Sequence, residues 1–443
     1  MIKPFGLLVL SQAFLPGGLL AQDWPMYLRD LTHSSFNASE STLTRDNLRQ
    51  LQPAWLFDAG AAFAAAPSIV NGIAYVGAWD GQFFAIDAQT GSELWRSYVG
   101  IAPSPANPRC SPPLGVTSQA VVVGDTVYVG GGDSAVYALD KRSGELRLRI
   151  PLADPASGSY IWSSMLAHGN VLYAGVASLG GCPMVRGALF RIDLNTPDQP
   201  LVRYLAPEDQ VGGGVWSTPA IDESTNRIYI TTGSGEQNPE SGQWGGTMLV
   251  LDATTLEIQA TFLLPSNSVI DNIEWGTSPT LFHDYEGTLM VAASGKDGVI
   301  YAVRAADLSP VWERQIGVRC GCPQCGCGSV SSPAFDGEVL YAAGGGADPQ
   351  NYRNGTVYAL NPSTGLTIWS VSLPGVVLAP VTVANGIVFV ASTAGLVALD
   401  ALHGTPLWNQ PPGFGSLYSQ AVVTGGTVYC TYLDGAFIAW RLP

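Results

Sequence analysis

One pattern recurs eight times along these 443 residues: a pair of small residues, an apolar strand, a Gly turn, a second apolar strand and a Gly-containing hairpin. The copies run Ala65-Ala66 to Tyr75, Thr117-Ser118 to Tyr128, Ser163-Ser164 to Tyr173, Ser217-Thr218 to Tyr229, Thr277-Ser278 to Met290, Ser331-Ser332 to Tyr341, Leu378-Ala379 to Phe389, and Tyr418-Ser419 to Tyr429. A unit this short cannot bury its apolar faces alone; copies must stack to give each sheet a partner. Charged residues make up only 12% of the chain, with 52 Gly and 31 Pro, so the units are turn-rich sheets rather than surface helices. No break in composition marks a second domain. A sandwich with coincidental spacing does not account for eight copies.

Each hairpin is followed by a third and a fourth strand. They are clearest in Ala85-Ile-Asp-Ala-Gln-Thr-Gly-Ser-Glu-Leu-Trp95, Ala359-Leu-Asn-Pro-Ser-Thr-Gly-Leu-Thr-Ile-Trp369 and Ala398-Leu-Asp-Ala-Leu-His-Gly-Thr-Pro-Leu-Trp408. In this run Asp87 and Thr90 are suited to bond the turn backbone, Gly91 to adopt positive φ, and Trp95 to bury a large ring against the next sheet. Weaker copies lie at Asp140 (with Leu148 in place of Trp), Asp193, Asp252 and Val303 to Trp312. The last copy, ending at Trp440, runs out of chain before its fourth strand, whereas Leu51-Gln-Pro-Ala-Trp55 has the form of a fourth strand with no sheet of its own. The expected fold is therefore all-β: an eight-bladed β-propeller of four-stranded antiparallel blades over residues 51–443, closed by an N-terminal strand that removes the open edges. Residues 22–50 form an N-terminal extension. Residues 1–21, with Lys3, the apolar run Phe5 to Leu10 and Ala21 before Gln22, read as a secretory signal. Export to the periplasm or the extracellular space follows, with no transmembrane segment in the mature chain.

The net charge of −15 excludes nucleic acid as a partner, since no basic stripe is present to meet phosphate. Four of the seven Cys crowd into Arg319-Cys320-Gly-Cys322-Pro-Gln-Cys325-Gly-Cys327. Four thiolates there could hold zinc, but an oxidising compartment favours nested disulfides, Cys322 with Cys325 and Cys320 with Cys327, with Pro323-Gln324 at the centre of a tight turn. Cys430 is then the free thiol.

The eleven-residue run ending in Trp resembles the tryptophan-docking motif of pyrroloquinoline-quinone-type propellers. From Asp23-Trp-Pro-Met-Tyr27 onward the chain is similar to the quinoprotein alcohol dehydrogenase-like family, in the manner of its polyvinyl-alcohol-dehydrogenase-like members. The matching runs are Ser178-Leu-Gly-Gly-Cys182-Pro-Met-Val-Arg-Gly187, Gly212-Gly-Gly-Val-Trp216 and Cys322-Pro-Gln-Cys325. The resemblance implies a pyrroloquinoline quinone at the ring axis, stacked on Trp216 and flanked by Ser164. Glu274, in Asp271-Asn-Ile-Glu-Trp275, stands where the family has its catalytic aspartate. Lys296, in Gly295-Lys-Asp-Gly298, stands where the family has the cation that meets the quinone oxygens. The family's calcium-binding glutamate falls at Cys182 and its asparagine at Ser234. That leaves Ser234 and Glu274 as oxygen donors to calcium, a set that hard-ion chemistry makes weak. The family's disulfide of adjacent cysteines is missing, and Cys110 with Cys182 is its expected replacement. Without a Cys-x-x-Cys-His haem motif, electrons would leave to a separate cytochrome or other acceptor. Two functions remain from this reading: an exported quinoprotein oxidising an alcohol or polymeric alcohol, or a non-catalytic propeller that serves as a scaffold or binding protein of the cell envelope.

Overall fold

The computed structural model describes residues 23–104, 112–346 and 354–443; the expected signal, 1–21, lies outside them. Eight blades of four antiparallel strands form the ring, sequential in the first seven; the third gains the short strand Ser159–Tyr160 and the seventh the parallel edge strand Phe36–Asn37. The first blade is Ser68–Val70, Ile73–Gly77, Gln82–Asp87 and Glu93–Tyr98. First strands of neighbouring sheets touch one another, which places them innermost. The eighth blade takes Val422–Thr424, Thr427–Thr431 and Ala436–Arg441 from the C-terminus and Gln52–Asp58 from the N-terminus, the latter antiparallel to the last C-terminal strand. The closing strand is thus the expected one, and it continues beyond Trp55 to Asp58.

Blades hold one another through a recurring seat. In turns of the eleven-residue type the side-chain oxygen of Asp, or of Asn361 in blade six, accepts backbone N–H groups; Asp87 takes those of Gln89 (3.0 Å) and Thr90 (2.7 Å). The carbonyl of the following residue is left pointing at the preceding blade, and an indole comes to it. Trp55 Nε1 donates to Ala88 O (3.2 Å), Trp95 to Lys141 O (3.2 Å), Trp312 to Pro362 O (2.8 Å) and Trp369 to Ala401 O (2.9 Å). The ring rests on the turn glycine: a Cβ on Gly404, already at φ +71°, would lie 2.6 Å from Trp369 Cε3. A tyrosine of the second strand reaches the same carbonyl in several blades, Tyr75 at Lys141 (3.0 Å), Tyr429 at Ala88 (3.2 Å) and Tyr341 at Ala401 (3.4 Å). In blades three and four, which have no docking Trp, the tyrosine makes this bond without an indole, Tyr173 at Ala253 (2.7 Å) and Tyr229 at Ala305 (3.1 Å). Trp408 has no such turn ahead of it, because the eighth blade is split between the termini; it packs edge-on against Trp440 at 5.3 Å.

Near the axis the small-residue pairs make a second set of links. Ser164 Oγ accepts from Gln119 N (2.9 Å), Thr218 Oγ1 from Ser164 N (3.1 Å), Ser278 Oγ from Thr218 N (2.8 Å) and Ser332 Oγ from Ser278 N (3.1 Å). Each hydroxyl satisfies a buried amide of the blade before it, a group that would otherwise be costly to leave unpaired.

The N-terminal extension is built into the ring. Trp24 exchanges both backbone hydrogen bonds with Ile69 of the first blade (2.8 and 2.9 Å). Pro25 O then accepts from Val122, Leu31 O from Ile221, Thr32 O from Leu281, Ser34 O from Phe335 and Ser35 O from Val383, at 2.8–3.3 Å. Asn37 Nδ2 donates to Val423 O at 2.8 Å. In fourteen residues the chain visits the inner strands of blades one, two, four, five, six, seven and eight. His33 sits in this strap, 1% exposed, with Nδ1 2.8 Å from Pro279 O. A carbonyl can only accept, so Nδ1 carries a proton. Burial lowers its pKa to about 4, against the opposing pull of the Pro279 bond and of Asp30.

Trp369→Ala should cost about 3 kcal/mol, the lower end for a Trp truncation because this indole is half-buried; urea melts of wild type and variant measure it, and equal midpoints would remove the docking seat as a source of stability. For His33 the unfolded ring takes a proton near 6.5 and the folded one near 4. The stability it contributes is therefore complete above pH 6.5 and falls by roughly 1.4 kcal/mol per pH unit as pH drops toward 4. Denaturation at pH 7, 5.5 and 4.5 should show this slope in wild type and a shallower one in His33→Gln; parallel curves would assign the slope to other groups.

Candidate functional site

The loops that lead into inner strands, and those that join second to third strands, meet at one end of the ring. Trp216 precedes the inner strand Ala220–Asp222 of blade four, and Ser234 follows its second strand, Arg227–Thr231. Glu274 precedes the inner strand Thr280–His283 of blade five, and Lys296 follows its second strand, Leu289–Ser294. Both segments of blade five prolong its first hairpin: Trp275 bridges Gly295, and Lys296 N donates to Glu274 O at 2.9 Å. That pairing puts the two side chains side by side.

Lys296 Nζ lies 2.5 Å from Glu274 Oε1, in a pair 7% and 8% exposed as residues. The other carboxylate oxygen, Oε2, accepts the backbone N–H of Ser234. Nζ also stands 5.6 Å from the centroid of the Trp216 ring, within cation–π range. Gly233 has no room for a side chain here: a Cβ would lie 2.9 Å from Glu274 Oε2 and from Trp216 Nε1. These groups line a funnel of about 550 Å³ whose walls include Gly180, Gly181, Met184, Val269, Pro323 and Gln324. Its floor is Trp216, Trp162 and Val330, which also cap a smaller axial cavity of about 150 Å³ that runs toward Tyr27 of the strap.

The structure thus brings Trp216, Glu274, Lys296 and Ser234 together. It sets Ser164 apart: that residue lines the axial cavity beneath the tryptophans, and its hydroxyl is engaged by Gln119 N. Cys182 is disulfide-bonded and is flanked by the wall residues Gly181 and Met184; its expected partner, Cys110, lies outside the described residues. The nested pairs Cys320–Cys327 and Cys322–Cys325 are both formed, with Cα separations of 5.7 and 5.3 Å, around a 3-10 turn at Pro323–Cys325 rather than the rungs of a hairpin. Cys430 is free and buried, and burial pushes its thiol far above the ordinary range.

Two members of the site escape the sequence reading. Trp162 is the floor ring of blade three, and its signal is the parallel between Ile161-Trp-Ser-Ser164 and Val215-Trp-Ser-Thr218. Asn272 has no such signal; its Oδ1 accepts from Ser234 Oγ (3.3 Å) and its Nδ2 donates to Gly321 O (2.9 Å).

A planar aromatic group suits this funnel, with an indole face below, glycine walls beside it and one ammonium at its edge. A divalent cation does not suit the donors. Glu274 has both oxygens engaged, Ser234 Oγ is turned to Asn272, Cys182 carries a disulfide rather than a thiolate, and no cluster of three acidic, His or Cys groups occurs among the described residues. Ser234 and Glu274, expected as the remaining calcium donors, are hydrogen-bonded to each other instead.

Replacing Lys296 by Met leaves a buried carboxylate without its cation, so K296M should lose about 3 kcal/mol, and E274Q added to it should restore part of that loss. Chemical denaturation of wild type and the two variants tests this, and an unchanged K296M would show that the pair contributes nothing to the folded state.

A family model described as "Outer membrane protein assembly factor BamB" (PQQ_2) matches residues 52–188 and 353–441, just over half of the chain. The polyvinylalcohol dehydrogenase of Sphingopyxis sp. is 21% identical over 94% of this chain and 70% of its own length. The quinohemoprotein alcohol dehydrogenase ADH IIB of Pseudomonas putida is 28% identical over 48% of this chain. The chain spans about a third to a half of the length of the first curated relatives it matches. Among solved structures, a europium-containing methanol dehydrogenase superposes with a TM-score of 0.79 at 15% identity, covering 95% of this chain and 98% of its own. BamB from Moraxella catarrhalis gives 0.60 at 15% identity, with 88% and 99% covered. Repeat, ring closure and docking seats agree with these matches: the chain belongs to the pyrroloquinoline-quinone-repeat (PQQ_2) family of β-propellers.

Proposed function

We propose that this protein is an exported quinoprotein that oxidises an alcohol or a polymeric alcohol in the funnel above Trp216, passing electrons to a separate cytochrome or other acceptor. The observation that carries the reading is the buried Glu274–Lys296 pair standing over the half-exposed Trp216 ring. Trp216 and Trp162 would support a bound pyrroloquinoline quinone from below, and Lys296 would meet its oxygens at the edge. When bound, the quinone supplies the two-electron acceptor for the alcohol carbon. Glu274 takes the alcohol proton at a carboxylate oxygen. A protonated Glu274 holds Lys296 less strongly, so the ammonium is freed toward whichever oxygen gains negative charge. The Ser234 N–H keeps the carboxylate from rotating during this exchange. The funnel lining carries one cation and one anion, which favours uncharged alcohols over acidic substrates.

The match to an assembly-factor family model favours a second reading, a non-catalytic scaffold of the cell envelope. Titration of the purified protein with pyrroloquinoline quinone, followed by dye-linked oxidation of alcohols, separates the two. Binding should occur with chelator as well as with calcium present, and E274Q should keep the quinone yet lose about 100-fold or more in turnover. Absence of binding at high micromolar quinone, in both conditions, would leave the scaffold.

A further inference from the structure

We propose that the disulfide-closed loop 318–328 is the positioning element of the Glu274–Lys296 pair, with Asn272 as its connecting residue, so that the site reaches its working geometry only when the loop is oxidised. The inference rests on that pair being the working centre of the proposed function.

Both members of the pair hang on this loop. On the lysine side, Cys320 N donates to Lys296 O at 3.1 Å, and Ser329 N to Gly295 O at 3.3 Å. Gly328 lies so close that a Cβ would stand 2.6 Å from Lys296 O. On the glutamate side the link runs through three residues. Gly321 O accepts from Asn272 Nδ2, Asn272 Oδ1 accepts from Ser234 Oγ, and Ser234 N–H donates to Glu274 Oε2. Asn272 stands at φ +54°, a conformation Asn tolerates better than most residues. Pro323 and Gln324 of the loop are themselves funnel wall.

The loop cannot order itself through packing. Between Val318 and Val330 its side chains are cysteines, glycines, one Arg, one Pro, one Gln and one Ser, so its shape is set by the crosslinks and a few backbone bonds. Those crosslinks close rings with separations of only 7 and 3 residues, too short to remove much entropy from the unfolded chain. Their effect is therefore local. Cys325 is exposed and Cys327 is 5% exposed, so a soluble dithiol meets Cys322–Cys325 first. Thiol–disulfide exchange with the dithiol transfers two electrons and two protons: the protein's S–S bond becomes two thiols, and the dithiol closes to its own disulfide. Once Cys320–Cys327 has been reduced as well, the loop loses the shape that presents Gly321 O to Asn272 and Cys320 N–H to Lys296.

Hydrogen exchange reads this without any cofactor. In a variant with Ser at Cys320, Cys322, Cys325 and Cys327, and in dithiol-treated wild type, protection of the Ser234 amide should fall about tenfold, as loss of a supporting hydrogen bond implies. The amides of Val299–Arg304 report the intact blade and should hold. Asn272→Gly keeps the backbone conformation and all disulfides, and should expose Ser234 equally. Titration with pyrroloquinoline quinone should show a Kd raised about tenfold in Asn272→Gly and at least as much in the four-Ser variant, with their combination no weaker than the four-Ser variant alone, because loss of the loop already includes loss of the Asn272 connection. Unchanged Ser234 protection in the reduced protein and in Asn272→Gly, or effects on Kd that multiply, would overturn the proposal. If wild type fails to bind the quinone at all, the proposed oxidation falls, and the exchange measurement still decides the positioning.

Discussion

A ring of separate sheets stands on what passes between neighbouring blades: apolar side chains from both sheets share one core at each junction, as Ala74, Val76 and Phe84 do with Val422, Tyr429 and Phe437, and a single carbonyl at the outer rim sets the angle. The Asp turn uses its carboxylate to satisfy its own backbone, which frees the next carbonyl to face the preceding blade. An indole N–H, a phenol or both come to that oxygen. The turn glycine lets the indole approach, so position, donor and seat are specified by one eleven-residue run. At the axis, hydroxyls of the small-residue pairs take the amides of the blade before. These outer and inner links fix how far each blade is rotated from the next, and the funnel geometry follows from that rotation, because Trp216 and Lys296 belong to different blades. Closure makes the links cooperative. Trp55, carried by the N-terminal strand, seats against Gly91 of the first blade, so the two ends of the chain are joined at the same junction that any other pair of blades uses.

Ring size, strand order and the shared blade were legible because each leaves a side-chain pattern of fixed spacing. So were the nested disulfides, since the spacing and a Pro-Gln centre permit only a tight reversal. The strap was not legible. Its bonds run from backbone carbonyls between Pro25 and Ser35 to amides up to hundreds of residues away, and a backbone bond writes nothing into the sequence. Ser164 shows a different limit. It carries the same hydroxyl at the same repeat position as Thr218, Ser278 and Ser332, and so it belongs to the axial links rather than to the funnel. The site proper was reached through resemblance, residue by residue. What the resemblance left out, Trp162 and Asn272, lies on loops whose register depends on blades three to five being in place.

The charge arrangement in the funnel limits its chemistry. One carboxylate and one ammonium, 2.5 Å apart and largely shielded from water, nearly cancel each other's field at a distance. A dication brought to such a site meets an acid already compensated and an ammonium that repels it. In the proposed oxidation the lysine is therefore the group suited to the electrophilic task, released as the carboxylate takes the alcohol proton. On that proposal proton uptake and charge stabilisation are one event shared by two neighbouring side chains.

The distribution of the docking seats shows where the fold gives way to the site. Indole seats join blades eight to one, one to two, five to six and six to seven. Blades two, three and four have no docking Trp; from blades three and four Tyr173 and Tyr229 reach the turn of the next blade, joined in blade four by Arg227 Nη1 at Ala306 O (2.9 Å). In blades three and four the connections between second and third strands are lengthened as well, through Gly180, Gly181 and Met184 in one and through Ser234 and the small hairpin Gln237–Asn238 with Gln243–Trp244 in the other. Local regularity is lost where side chains must converge on the axis, which is the expected mark of a working site in a repeat protein. What joins blades three, four and five in place of the indole is a shared apolar core, Leu166 and Leu189 against Ile221 and Ile228, then Tyr229 and Val250 against Leu281 and Val291, so the funnel loops can depart from the repeat without opening the ring.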